Sequence, residues 1–509
     1  MISIGALIVI ILIHIASLFI IQTAFVPDEY WQSLEVAHNI VFHYGNITWE
    51  WQEGLRSYIY PSIFAVLYKV LQFFEMDTLH MMIMAPRFLQ ACISIVSDAY
   101  FCNWVSRDVP GAGGLAIFAV SSAWFWLFCS TRTLINTIET SLSVIALYYY
   151  PWPEKKSKRK KNQRLPENLL EARSLSPFLA LVGIAGIIRP TAVIPWIPLC
   201  LCHIVTSPHN IQHTVVNYLL VGLLCLSVLL TVDSYFYEQI IFTPINFLFV
   251  NVVKNVSNFY GTHPAHWYLS SALPTVFGLH LIPCVLGCIK SFSRSDMPVK
   301  IIKLLAVSML FTIGVYSFLP HKEFRFILPL LPMALFISTS WFFHFQKMSR
   351  CFATVLHFIF LLASVIPCLY LGLFHQRGTL DVMQDLAQDA VDNPLRTDLL
   401  FLMPCHSTPL YSHLHVNVST RYLTCDPRDL FHSNLLQDEA DEFYHDPIAW
   451  LEKNLNLLPS HIIMFDVLYH QVAEFLNSRS YEVFNCYHHA HFAEGRVGQV
   501  LYVLKQGSR

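Results

Sequence analysis

The chain has 509 residues, a formal net charge of -2, and 13% charged against 55% hydrophobic residues. Its mean hydropathy is +0.48. Soluble domains carry about 25% charged residues, so this composition excludes a soluble globular protein and a disordered one. With 32 Lys+Arg against 34 Asp+Glu there is also no basic excess for binding nucleic acid. What remains is an all-α polytopic membrane protein, because the apolar stretches are helical in length and too continuous for a β-barrel.

The first apolar run, residues 2–25, is long enough to span. It lacks a basic start and a small-residue cleavage site, so it reads as a retained first helix, not a removed signal. A polar, acidic and aromatic loop, 26–80, follows. Its one apolar stretch, 58–74, is short and holds Pro61 and Lys69, which suits a helix lying on the membrane surface. With that reading the later spans fall near 81–103, 112–129, 133–150, 177–190, 191–206, 214–234, 271–289, 301–319, 325–345 and 351–374. The first helix brings the total to about eleven at the usual ~20 residues each.

Flanking charge sets the orientation. The basic run 155–161, the loop with Lys290, Arg294, Lys300 and Lys303, and the turn with Lys347 and Arg350 all become cytosolic. The N-terminus is then cytosolic as well. Three glycosylation sequons, at Asn46, Asn255 and Asn417, fall on the lumenal side of the same scheme. The chain thus divides into a transmembrane domain, 1–374, and a C-terminal domain, 375–509. Short alternating stretches such as Ile462-Ile463-Met464-Phe465 give the latter a small lumenal α/β fold. No CxxC pair occurs, so no metal site is expected. Two of Cys405, Cys425 and Cys486 can pair in a lumenal tail, without the sequence choosing which. The tail histidines, His488, His489 and His491 among them, read as surface residues.

Four clusters at lumenal helix ends carry chemistry. Asp28-Glu29 follows the first span behind Pro27, where Asp28 starts a short helix whose Trp31, Leu34 and His38 share a face. An acid there is ordinary capping chemistry, but two beside a membrane exceed what a cap needs. His321-Lys322-Glu323-Phe324-Arg325 places cations on the face where they are depleted. Tyr260-Gly261-Thr262-His263-Pro264-Ala265-His266-Trp267-Tyr268 offers two histidines and several aromatics, fit for an interface belt or a sugar site. Arg132 and Arg189 are lone cations facing the same compartment. Together with Lys322 and Arg325 they suggest a shared anion such as a lipid-linked phosphate.

The strings Phe25-Val26-Pro27-Asp28-Glu29-Tyr30-Trp31-Gln32-Ser33-Leu34-Glu35, Arg56-Ser57-Tyr58, Thr131-Arg132-Thr133 and His321-Lys322-Glu323-Phe324-Arg325-Phe326 resemble the motifs of the family 22 mannosyltransferases, which are C-type membrane glycosyltransferases. The Gly261-Thr262-His263-Pro264 loop is similar to the branch acting on GPI anchors. The resemblance implies an endoplasmic reticulum membrane enzyme. It would move mannose from dolichyl-phosphate mannose to a GPI precursor glycolipid through an α-1,2 bond, with inversion, in the lumen. It further implies Asp28 as the base, with Glu29 as its alternate or a positioning acid. His321, Lys322, Arg325 and Arg132 would hold the donor phosphate, and Trp31, His263, His266, Trp267 and Glu323 would contact sugar or acceptor. No metal or other cofactor is called for. The competing readings are a sibling acting on the dolichol-linked N-glycan precursor and, from another class, a lipid or sugar transporter.

Overall fold

The computed structural model describes residues 2–152, 176–207, 211–291, 298–346, 350–427, 438–455 and 458–507. The basic run at 155–161, with Arg294 and Lys347, lies outside the described residues. Among the described residues six helices are long and apolar enough to cross a membrane. They are Leu79–Asp108, Ile211–Phe236, Tyr268–Lys290, Val299–Phe318, Phe324–Gln346 and Cys351–Asp392. Five shorter apolar helices accompany them: Ile4–Ile20, Ile59–Phe73, Pro177–Ile188, Pro190–Thr206 and Thr243–Val253.

The helical membrane architecture expected from composition is present, though several expected spans are broken or shorter. The stretch expected at 112–129 splits into Gly113–Ser121 and Trp124–Cys129. There the Ser122 hydroxyl bonds back to the Phe118 carbonyl at 2.6 Å and Ala123 leaves helical geometry. Arg189, extended because Pro190 follows it, separates the next pair.

The chain forms two compact units. The first takes Met1–Leu18, Gly54–Ile59 and Leu89–Cys368; the second takes Phe19–Glu53, Tyr60–Phe88 and Leu369–Arg509. In the first unit the helix Phe324–Gln346 is the most enclosed span, with 83% of its apolar stretch buried. Gly287 allows the helix Leu281–Lys290 to approach it: a Cβ there would stand 2.7 Å from Ile337 Cγ2 and 3.1 Å from the Ile337 carbonyl. Without water in the hydrocarbon layer, polar side chains must satisfy one another. Asp98 does so with His14 Nε2 at 2.8 Å and Trp126 Nε1 at 3.0 Å. His280 does so between Ser122 and Ser338, both at 2.9 Å.

The second unit contains the expected α/β tail. Five strands, β1 Asp398–Leu402, β2 Ser419–Tyr422, β3 His461–Phe465, β4 Tyr481–His488 and β5 Val500–Gln506, form one sheet in the order β2-β1-β3-β5-β4. The β2-β1-β3 part is parallel, and β5 and β4 add antiparallel. β3 is buried along its whole length, as a central strand covered on both faces must be. Leu400, Ile462, Met464 and Leu504 pack with Phe443, Trp450, Leu468 and Val472 in its core. His488 and His491 are exposed as expected, whereas His489 is buried against Phe465.

Candidate active site

In the second unit the segment after the first helix is tied down before it reaches the acidic pair. Gln22 N donates to the Gly372 carbonyl at 2.7 Å, Thr23 Oγ1 to Leu371 at 2.6 Å, and Ala24 N to Gln376 at 3.0 Å. Pro27 then opens a helical turn. Its carbonyl accepts from both Tyr30 N and Trp31 N at 3.0 Å, so Asp28 and Glu29 stand inside the first turn. A π-turn, Tyr30–Leu34, leads into the helix Glu35–Phe42, a distortion that often marks functional segments. Trp31, Leu34 and His38 are all buried, as their spacing suggested. Asp28 is half-buried and Glu29 is buried near Tyr60.

A loop of the tail covers that helix. Cys405 and Cys425 form a disulfide, which settles the pairing and leaves Cys486 free. His406 packs its ring on Trp31 at 4.5 Å, and the Trp31 indole donates to the Thr408 carbonyl at 3.0 Å. Burial pulls the His406 imidazole down to about 4 against the opposing pull of Asp28, so it is neutral at physiological pH. Cys405, His406 and Cys425 are the one cluster of metal-ligand type among the described residues, and its two thiols are bonded to each other.

Glu35, seven residues beyond Asp28, was not singled out from sequence as a functional residue. It is 1% exposed, and its carboxylate accepts from Leu410 N at 2.8 Å, Ser412 N at 3.2 Å and Ser412 Oγ at 2.5 Å. Burial pushes it up to about 7 despite these bonds. Its place in the acidic string was the available signal.

In the first unit the His321–Arg325 cluster is an ion network. Arg325 grips Glu323 through two bonds of 2.6 Å, and His321 Nε2 reaches the same carboxylate at 3.2 Å. Burial alone would raise the Glu323 carboxyl, but Arg325 and His321 hold it well below the usual carboxylate range. Burial lowers the His321 imidazole, yet Glu323 and the Gly261 carbonyl leave it raised overall. Two cations thus share one carboxylate. Lys322 points elsewhere: its ammonium donates to the carbonyls of His263 at 2.9 Å, Pro320 at 3.4 Å and Leu319. It fastens the Gly261-Thr262-His263-Pro264 loop to the cation turn. In that loop His263 stacks on Trp267 at 4.6 Å, Trp267 meets Phe324 at 4.8 Å, and His266 is exposed.

The two arginines read as lone cations from sequence both have partners, in different surroundings. Arg132 is 1% exposed and lies over the Phe128 ring, bonding the Phe128 carbonyl at 3.1 Å. Arg189 is paired with Glu139 at 2.7 Å, a carboxylate inside the helix Ile135–Tyr149. An acid within an apolar run is the sequence signal for Glu139. The Arg56-Ser57-Tyr58 motif is a latch. Ser57 Oγ and Tyr58 N both donate to buried Asp233 at 2.9 Å, and Thr243 Oγ1 adds a third bond at 2.7 Å. Of the sequons, Asn255 and Asn417 are exposed, and half-buried Asn46 donates to Thr420 Oγ1 at 3.4 Å.

The described residues thus form a helical membrane protein whose ionisable residues gather in networks and which carries a small sheet-bearing tail. The fold is that of a crystal structure of ArnT from Cupriavidus metallidurans bound to undecaprenyl phosphate. The TM-score is 0.59 at 10% identity, covering 98% of this chain and 97% of that one. Residues 6–415 match the Alg9-like mannosyltransferase family, and the chain belongs to that family. It is 40% identical to GPI alpha-1,2-mannosyltransferase 3 of Danio rerio, over 98% of this chain and 89% of the relative. It is 39% identical to the protein of the same name from Homo sapiens, over 97% of this chain and 86% of the relative. The chain is therefore a mannosyltransferase.

Proposed function

We propose that this enzyme adds the third mannose of the GPI anchor. Mannose passes from dolichyl-phosphate mannose to the Man2-GlcN-phosphatidylinositol intermediate through an α-1,2 bond, at the lumenal face of the endoplasmic reticulum. Near-full-length identity of about 40% to the zebrafish relative is the observation that carries the choice of acceptor. The donor is β-linked and the product α-linked, so one in-line displacement with inversion suffices, and that needs one base. Asp28 takes the proton of the acceptor hydroxyl as its oxygen attacks the anomeric carbon. Glu29, the more buried acid, positions the acceptor. The bond from the anomeric carbon to the phosphate oxygen breaks, and dolichyl phosphate leaves as an anion.

That anion needs positive charge. His321 and Arg325, gathered on Glu323, supply it together with Lys322 and Arg132. Glu139 cancels Arg189, which is therefore dropped from the phosphate ligands. Trp31, His263, His266 and Trp267 supply the sugar and acceptor contacts, with Glu323 acting through Arg325. The N-terminus and the 155–161 run are cytosolic, and the tail and the three sequons are lumenal. Glycosidase-sensitive mass at Asn255 or Asn417 supports this orientation, and glycans on a sequon engineered into 155–161 would reverse it.

Asp28→Asn tests the mechanism, since it keeps the size and removes the proton acceptor. Transfer to the two-mannose GPI intermediate should fall on the order of 10²–10⁴-fold, with donor binding retained. Wild-type turnover by the purified variant would remove Asp28 from the base role. A wild-type protein that extends only the dolichol-linked N-glycan precursor would move the enzyme to the sibling reaction.

A further inference from the structure

Beside the cation network, within the first unit, lies a group of buried polar atoms that the mechanism above does not use. Glu139 spends one carboxylate oxygen on Arg189, and among the described residues the other, Oε1, has no hydrogen-bond partner. One turn earlier on the same helix face, Asn136 is fully buried, and among the described residues neither its amide nitrogen nor its amide oxygen is bonded. Tyr268 is equally buried. Among the described residues the Glu323 amide faces its oxygen and the phenol hydrogen has no acceptor.

These residues form a neighbourhood. Tyr316 lies in electrostatic reach of both Arg189 and Glu139, and Tyr268 in reach of Arg189, Tyr316 and Glu323. The Tyr268 and Tyr316 rings are 6.1 Å apart, and Arg189 lies over Phe326 at 5.1 Å.

Buried polar groups in proteins are hydrogen-bonded with few exceptions, so three such side chains in one place call for a ligand. The atoms state its chemistry. Glu139 Oε1 only accepts, the Tyr268 hydroxyl offers a donor, and Asn136 offers both. A phosphate, which only accepts from these groups, is repelled by Glu139, and Arg189 is already neutralised. A hydroxyl donates and accepts at once. We propose that Glu139, Asn136 and Tyr268 form a recognition site for the hydroxyls of a mannose ring, with Tyr316 and Phe326 as its apolar wall. This rests on the mannosyl-transfer reading and deepens it: the ring belongs to the donor or to the terminal mannose of the acceptor.

The test compares binding of dolichyl-phosphate mannose and dolichyl phosphate to the purified full-length protein, with acceptor KM measured alongside. Tyr268→Phe removes that hydrogen together with the oxygen that faces the Glu323 amide, so thermal unfolding is read alongside to establish that the variant is folded. The variant should reduce the preference for the mannosylated lipid roughly threefold to tenfold. Glu139→Gln should reduce it about tenfold or more, because its bond to the sugar is charge-assisted. Loss of preference identifies the donor mannose, whereas an unchanged preference with acceptor KM raised by those factors identifies the acceptor mannose. If Tyr268→Phe and any folded Glu139 or Asn136 variant leave both quantities at wild-type values, the site does not read a sugar. A wild-type protein that neither binds dolichyl-phosphate mannose nor transfers mannose overturns the functional reading first, and this one with it.

Discussion

Glu35 makes the most quantitative demand on the structure. Its carboxylate is 1% exposed and holds Leu410 N, Ser412 N and Ser412 Oγ. Glu35→Ala removes all three bonds and leaves two backbone N–H groups buried without an acceptor. An unsatisfied buried donor costs about 1–3 kcal/mol, so the variant should lose about 2–6 kcal/mol of local stability. Single substitutions rarely cost more than about 4–5 kcal/mol, so this lies at the severe end. Intrinsic fluorescence during thermal unfolding reads the loss, and limited proteolysis should show earlier cleavage within 403–415. The sign with pH also follows. The folded carboxyl sits at about 7 against 4.5 for an unperturbed one, so between those values the folded protein binds a proton that the unfolded chain has released. Stability from this group is therefore full below about 4.5 and falls as pH rises towards about 7. Glu35→Gln cannot titrate and should flatten that slope. If Glu35→Ala unfolds with wild-type temperature and protease pattern, the carboxylate does not hold the loop, and the reasoning fails.

Lys322→Ala and Arg325→Ala should each weaken use of dolichyl-phosphate mannose by on the order of 1.5–3 kcal/mol, read as kcat/KM for the donor. Wild-type donor kinetics in both would reduce the cluster to a structural turn. Removing the Cys405–Cys425 bridge by Cys405→Ser opens a loop with a sequence separation of 20. Loops near that length give about 3 kcal/mol, so the unfolding transition should drop by several degrees, and reduction of the wild type should reproduce it. No difference between reduced and oxidised protein would mean that the loop is held without the bridge.

Much of this molecule is legible in its sequence because its strongest signals are compositional and local. Low charge and long apolar runs gave the membrane class, and the short stretch at 462–465 became β3. Pro27 did set the turn that presents Asp28 and Glu29. What escaped was non-local. Nothing near Glu35 says that residues 410–412, almost four hundred positions away, will supply its donors. Arg189 reads as a lone cation because its partner, Glu139, lies fifty residues earlier in another helix. Lys322 reads as a ligand for anions, and only the fold reveals three carbonyls around its ammonium. The breaks inside expected spans, as at Ser122 and Ala123, depend on a hydroxyl choosing the backbone, a competition that hydropathy does not register.

The buried carboxylates can be sorted by how completely they are used. Asp233 accepts three bonds, with Oδ1 taking Ser57 and Tyr58 and Oδ2 taking Thr243. Asp98 gives Oδ2 to His14 and Oδ1 to Trp126. Both oxygens of Glu35 reach Ser412 N, at 3.2 and 3.3 Å. Each of these acids is accounted for by the segments it joins, and a structural role explains both of its oxygens. Glu139 is equally buried and equally paired, yet one oxygen is used and the other is not. Desolvating a carboxylate is costly enough that a purely structural pair gains from filling both oxygens, as the other three do. An acid that departs from that pattern, beside an unbonded amide and an unmet phenol hydrogen, is arranged for something that arrives with hydroxyls. In a mannosyltransferase, that ligand is the sugar.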